Sequence, residues 1–264
     1  MTAQASASGG FSSRGAREVL KTTEHRPWPL PRRPFAMRMS WHDLLFAHWP
    51  VPRDAVEPHI PPGLELETWD GWAWIGVVPF YMTHVTGRGL PAAPWLSAFE
   101  ELNVRTYVRR GDKPGVWFFS LDAARWPAVV AARRLFHLPY FHARFRYQSD
   151  GDAVVYQCER RGARTSGARF TGTYGPQGPV GEVPAGGIED WLVERYCLYA
   201  AAPDGTIYCG DVHHEKWPLQ PARADIDAGG MTEWLGIELR GPPELLHFSR
   251  RLDVVAWSVE RASS

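Results

Sequence analysis

Lysine is scarce in this chain. Of 29 basic side chains only Lys21, Lys113 and Lys216 are lysines; the rest are arginines. Chemistry that needs a side-chain amine therefore has three candidates. Cysteine is sparse as well. Cys158, Cys197 and Cys209 are an odd set without zinc spacing, which excludes a disulfide framework and reads as reduced, mostly structural thiols. Charge of either sign is not in excess, because Lys+Arg and Asp+Glu are both 29, so the electrostatic footprint of a nucleic-acid binder is missing. No apolar run approaches the roughly 20 residues of a membrane span. The first 30 residues lack the apolar core of a signal peptide. The expectation is a soluble cytoplasmic protein with neither nucleic acid nor membrane as partner. Gly-x-Gly-x-x-Gly, phosphate-loop, Gly-x-Ser-x-Gly and His-Glu-x-x-His patterns are also missing. No cofactor and no metal is expected.

Aromatic residues are abundant: 13 Trp, 12 Phe and 9 Tyr, enough to line a core or a pocket. With 264 residues, 44% of them apolar, a sizeable core is available. One domain is favoured, because no internal linker is long enough to separate a second. The expected organisation is a flexible tail over 1–24, a single domain over 25–260 and a short tail over 261–264. The proline-rich stretch 25–35 cannot be regular helix and reads as an extended arm with Trp28 packed on the body. From Met37 the chain becomes dense in apolar residues. Asp54–His59 reads as a short helix, as do Pro127–Phe136 and Ile188 to about Arg195. Strands are expected over 64–68, 72–82, 100–108, 116–122, 140–148, 153–159 and 168–174. A hairpin is expected around Pro203-Asp204-Gly205, joining 196–202 and 206–212, and a closing strand over 247–259. Eight or more strands with three or four short helices argue for a mainly β, antiparallel architecture, closed or nearly so.

Three segments carry candidate chemistry. On strand 101–108 side chains alternate, so Glu101, Asn103, Arg105 and Tyr107 share one face and Leu102, Val104, Thr106 and Val108 the other. The polar row reads either as a solvent face or as the lining of a barrel, where a Glu and an Arg would bind a carboxylate or move a proton. Strand 140–148 repeats the design, with Tyr140, His142, Arg144, Arg146 and Gln148 opposite Phe141, Ala143, Phe145 and Tyr147. The aromatic face is the safer core. In Asp211–Leu219, His213 and His214 are adjacent and point to opposite sides of an extended chain, so they rarely share a metal. One of them facing a pocket would serve as an acid/base group or hydrogen-bond donor. Lys216, beside Trp217, would have a lowered pKa if buried; a solvated lysine is the default.

Four stretches carry a family resemblance: Met37–Val51, Glu101–Val108, Gly115–Ala123 and Trp217-Pro218-Leu219-Gln220. Together, over about residues 26–260, the chain resembles the YqjF-like family (domain of unknown function 2071), which is similar in turn to the acetoacetate-decarboxylase superfamily. The resemblance implies a β-barrel or cone with a central, partly apolar cavity. Pro52–Leu66 looks like the decarboxylase segment in which a short helix precedes a Pro-Gly-Leu strand. Glu101 falls where the decarboxylase has an active-site glutamate. Ala132–Phe141 aligns with the run that carries its two lysines, one forming the Schiff base and the other lowering its pKa. This chain has Tyr140 and Phe141 there, and neither side chain makes an imine.

The resemblance thus implies a small-molecule-binding barrel that is not a Schiff-base decarboxylase. Its ligand would be a small organic acid or polar aromatic. Expected catalytic groups are Glu101, Tyr140, His142 and His214, and expected ligand-binding groups are Asn103, Arg105, Arg144 and Lys216. Two alternatives stand beside it: a cofactor-independent lyase, isomerase or hydrolase using Glu101 as acid/base group, and a non-catalytic sensor or scaffold. A weaker reading retains imine chemistry through Lys216, which would then have to reach the cavity of Glu101. An exposed apolar patch from the Trp-rich segments would mark a homo-oligomer interface.

Overall fold

The computed structural model describes residues 11–89, 97–125, 136–162 and 167–262. Strands dominate: β1 (Met37–Val51), β2 (Glu65–Leu66), β3 (Ala73–Gly87), β4 (Phe99–Arg110), β5 (Lys113–Ala123), β6 (Tyr140–Ser149), β7 (Val154–Arg160), β8 (Arg169–Pro176), β9 (Cys197–Ala201), β10 (Ile207–His213), β11 (Gln220–Asp227), β12 (Leu245–Ala256) and β13 (Glu260–Arg261). The described α-helices are short: α1 (Ser13–Val19), α2 (Arg53–Val56) and α3 (Ile188–Val193). The expected helix 127–136 lies, apart from Phe136, outside the described residues. The mainly β class is as the sequence implies. β1 and β11 are additions to it. β1 is buried on both faces over most of its length, so it shows no apolar–polar alternation to read. β11 opens Gln220-Pro221 and is polar along its outer face.

The strand pairings run in two circuits that share a wall. One passes β12–β1–β3–β4–β5 and returns through β9 and β10 to β12. The other leaves the same wall from β5 through β6, β7, β8 and β11 back to β12. Alternation along the shared wall sends side chains to both circuits. Leu102 and Val104 of β4 join the cluster of the second circuit, with Tyr156, Phe170, Tyr174 and Phe248. Phe80, Met82, Tyr107 and Phe118 join the cluster of the first.

Local chemistry explains where the ladders break and close. Pro79 in the middle of β3 has no N–H to give, and β1 bulges opposite it, between His42 and Ala47. β9 docks parallel on β5 at Val116 and Trp117 because residue 115 is glycine; a methyl group there would sit 2.8 Å from the Cys197 carbonyl oxygen. Between the circuits Asp122 and Arg160 form a bidentate pair at 2.7 Å, both side chains fully buried.

Some of the segment expected as a tail is ordered. Phe11, Ala16 and Val19 pack on Val255 and Trp257. The following arm crosses the body as expected, with the Trp28 indole N–H donating to Asp211 at 2.9 Å. No described helix is long and apolar enough to cross a membrane.

Candidate functional site

The first circuit surrounds a cavity of about 600 Å³. Its lining is mainly apolar, drawn from β1, β3, β4, β5, β12 and the 193–217 region, and includes Trp41, Phe46, Phe80, Met82, Phe118 and Trp217. A small set of polar side chains interrupts it; besides Ser258 these are Glu101, Asn103, Arg105, Tyr140, Arg195, Asp211 and His214. Five of these seven stand among the expected site residues.

β4 places three of them. Glu101, Asn103 and Arg105 line the cavity while Leu102 and Val104 face the other circuit, so the period of two holds from 101 to 105. The neighbouring bulge falls instead on β5, where register slips between Ser120 and Phe118. Phe119 thereby turns into the second circuit, and Phe118 and Leu121 stay on the cavity.

Glu101 is 3% exposed. The Tyr140 hydroxyl donates to its Oε2 at 3.1 Å. Burial drives the Glu101 pKa up, hydrogen bonds from Tyr140 and Asn103 oppose it, and the nearby Asp122 charge adds to the rise, leaving it at about 8. Glu101 is therefore a neutral acid near neutral pH. Burial, then the charge and hydrogen bond of Glu101, hold the Tyr140 phenol well above its usual pKa.

His214 is 1% exposed and sits in an aromatic box, with ring centroids of Tyr196, Trp217 and Trp41 at 4.9, 5.2 and 6.3 Å. Burial lowers its pKa to about 3, so it is neutral; its Nδ1 is 2.7 Å from the Glu215 carbonyl oxygen. His213 points the other way, as adjacent residues on an extended chain must. It helps to dock the N-terminal arm, with Nε2 2.9 Å from the Val19 oxygen and the His25 ring stacked at 5.6 Å. No group of three His, Cys, Asp or Glu is arranged for a metal among the described residues.

Three expected site residues stand apart from the cavity. Arg144 is exposed and His142 is not among the lining residues. β6 pairs with β5 only at Tyr140, Phe141 and His142 and then turns to pair with β7, so the period of two that starts at Tyr140 leaves the cavity wall after one residue. Lys216 is exposed too, as the default for lysine has it. That placement argues against the imine reading through Lys216.

Arg195 is one of two charged lining residues that sequence reasoning missed. It follows α3, carries no motif, and is 7% exposed. Its Nη1 donates to Glu67 at 2.5 Å and its Nε to the Trp191 oxygen at 2.6 Å. Asp211, also missed, is held by Lys113, whose Nζ is 3.0 Å from both carboxylate oxygens. Trp41 and Trp217 both lie inside the family-like segments, yet only the fold stacks them, 5.6 Å apart at 14°.

The fold of this doubled circuit of strands is similar to that of acetoacetate decarboxylase-like proteins of known structure. The chain superposes on acetoacetate decarboxylase of Legionella pneumophila with a TM-score of 0.62 at 12% identity, covering 100% of this chain and 98% of that one. It superposes on the enduracididine biosynthesis enzyme MppR in complex with pyruvate with a TM-score of 0.64 at 12% identity, covering 90% and 93%. An acetoacetate decarboxylase-like enzyme of Sphingomonas wittichii RW1 gives 0.57 at 14% identity, with 88% and 94% covered. At these identities the likeness shows the fold alone. Residues 38–253 match the DUF2071 family, described as an uncharacterized conserved protein, and the chain belongs to that family. It is 41% identical over 227 residues to the uncharacterized protein YqjF of Bacillus subtilis (strain 168), covering 86% of this chain and 93% of that protein.

Proposed function

We propose that this chain binds a small organic acid or polar aromatic molecule in the cavity without forming an imine. Glu101 serves there as a neutral hydrogen-bond donor and, if the ligand is turned over, as the acid/base group. The observation that carries this is the Glu101 carboxyl, buried and hydrogen-bonded by Tyr140 on the wall of a hollow of about 600 Å³, where burial drives its pKa up. Among the structural neighbours, MppR is described in complex with pyruvate, which supports an acid as the kind of molecule this architecture admits.

The lysines argue against covalent capture. Lys21 is exposed beside Glu18, and Lys216 is exposed. Lys113 is bonded to Asp211 of the lining, and although burial lowers its pKa, the negative charges of Cys197 and Cys209 as thiolates and of the Asp211 carboxylate outweigh that and raise it. A protonated amine is no nucleophile. A catalytic role for Glu101 means donating its proton to a ligand oxygen or carbon and recovering it from the product, a lyase, isomerase or hydrolase type of step.

The test is a thermal-shift screen of small carboxylic acids and polar aromatics against the wild type and the cavity-filling variant Val78→Trp. A class that raises the melting temperature of the wild type and not of the variant supports the reading. No stabilising compound, or equal stabilisation of the filled variant, overturns it. Pyruvate and acetoacetate with borohydride should leave the intact mass unchanged; a reduced adduct on Lys113 overturns the claim of non-covalent binding.

A further inference from the structure

Charge on the cavity wall does not balance. Two guanidinium groups stand there, both over the ring of Tyr107, with Arg105 Cζ 5.7 Å and Arg195 Cζ 5.0 Å from its centroid. One carboxylate, Glu67, answers them, and it is engaged by Arg195. Arg105 makes no ion pair among the described residues; its Nη2 donates to the Leu192 carbonyl at 3.1 Å. Of the two acids on the lining itself, Glu101 is hydrogen-bonded by Tyr140 and Asp211 is already shared by Lys113 and Arg26. A cation in an apolar surrounding without a counter-charge is costly, and a bound anion relieves that cost.

Hydrogen bonding is incomplete at the same place. Arg105 Nε and Arg195 Nη2 are buried donors without a partner, and so are the Trp41 and Trp217 indole nitrogens; Asn103 Oδ1 is a buried acceptor without one. Four unsatisfied donors against one acceptor call for a ligand rich in acceptor oxygens. The remaining wall is flat and apolar, formed by the stacked pair Trp41 and Trp217 with Phe46 edge-on to Trp217 at 4.8 Å.

We infer that the ligand of this cavity is a monocarboxylate whose anionic end is clamped by Arg105 and the free N–H of Arg195, and whose ring or hydrocarbon tail lies against Trp41, Phe46 and Trp217. The inference rests on the cavity reading above and names its substrate class. A planar carboxylate matches the guanidinium fork, and Arg105, which has no counter-charge of its own, matches a single negative charge.

The probes are acetate, hexanoate and 3-phenylpropanoate, each beside its neutral amide, titrated calorimetrically into the full chain and into R105Q and R105K. The expected result is that an acid with a tail binds at least about 10-fold tighter than its amide, that R105Q removes that preference, and that R105K falls between. Acid and amide binding alike to the wild type, or R105Q keeping the preference, overturns the clamp while the cavity reading stands. Neither acids nor amides binding overturns both. The acid–amide comparison is made on the wild type, so it decides the matter even if R105Q does not fold.

Discussion

The two strand circuits share five strands and differ in what fills them. Inside the second, large rings pack against one another: Tyr156, Phe170, Tyr174 and Phe248 are no more than 1% exposed, and the buried hydroxyls of the tyrosines are satisfied. Tyr156 donates to the carbonyls of Phe80 and Glu101 at 2.9 and 2.8 Å, and Tyr174 to that of Asp43 at 3.0 Å. Inside the first, equally large side chains stand around a hollow, and several polar atoms lack partners. The difference teaches a division of labour. The packed side grips the main chain of Glu101 through Tyr156, and the same residue presents its carboxyl to the hollow side. Close packing on one face holds a group in place on the other that unaided solvation would expose.

The largest test of this contrast is truncation on each side. Phe170→Ala in the packed circuit should cost about 3–5 kcal/mol, because its neighbours cannot collapse into the void. Met82→Ala on the cavity wall should cost about 1–2 kcal/mol, since it enlarges a space already present. Urea melts of both variants check this; equal losses would mean the hollow is as tightly constrained as the core.

A second test uses the Glu101 proton. Its folded pKa of about 8 lies above its ordinary value of 4.5, so over that interval the folded protein holds a proton that the unfolded chain has released. The stabilisation is fully present below about pH 4.5 and is lost as pH rises to about 8, at about 1.4 kcal/mol per pH unit at most. The stability of the wild type minus that of Glu101→Gln should therefore fall across this window and level off above it. A flat difference from pH 5 to 9 would place Glu101 in solvent-like surroundings.

The smallest effect is on thiol reactivity. Cys158 belongs to the packed cluster, and burial raises its pKa well above the usual range. Cys209 is only partly buried, and a hydrogen bond from Cys197 followed by the Lys113 charge lowers its pKa, against the effect of burial. Native alkylation with iodoacetamide should modify Cys209 faster than Cys158 by on the order of 100-fold. Comparable rates, read by peptide mass spectrometry, would show that the packed circuit opens as readily as the hollow one.

Much of this was legible beforehand. Alternation from Glu101 to Arg105 holds in the fold because β4 carries no bulge there. Tyr140 was legible as a cavity residue by its place in the family-like pattern, but His142 and Arg144 were not correctly placed by parity. Parity holds only while a strand stays in one sheet, and β6 changes partner at Ala143. Lys216 sits two residues from His214 and one from Trp217, both on the cavity lining, yet it is exposed; nearness in sequence does not fix direction in an irregular segment.

By itself the sequence determined a mainly β chain of one family, the polar row on β4, and a phenol at the position where an amine would be needed for an imine. These follow from local residue type and a period of two, which a single strand imposes on its own. Tertiary structure decided that the row faces a hollow, that the Glu101 carboxyl is buried, which drives its pKa up, and that Arg195 comes from across the chain to stand beside Arg105. Burial and convergence depend on which strands close against which, and that is settled by contacts between residues far apart in sequence.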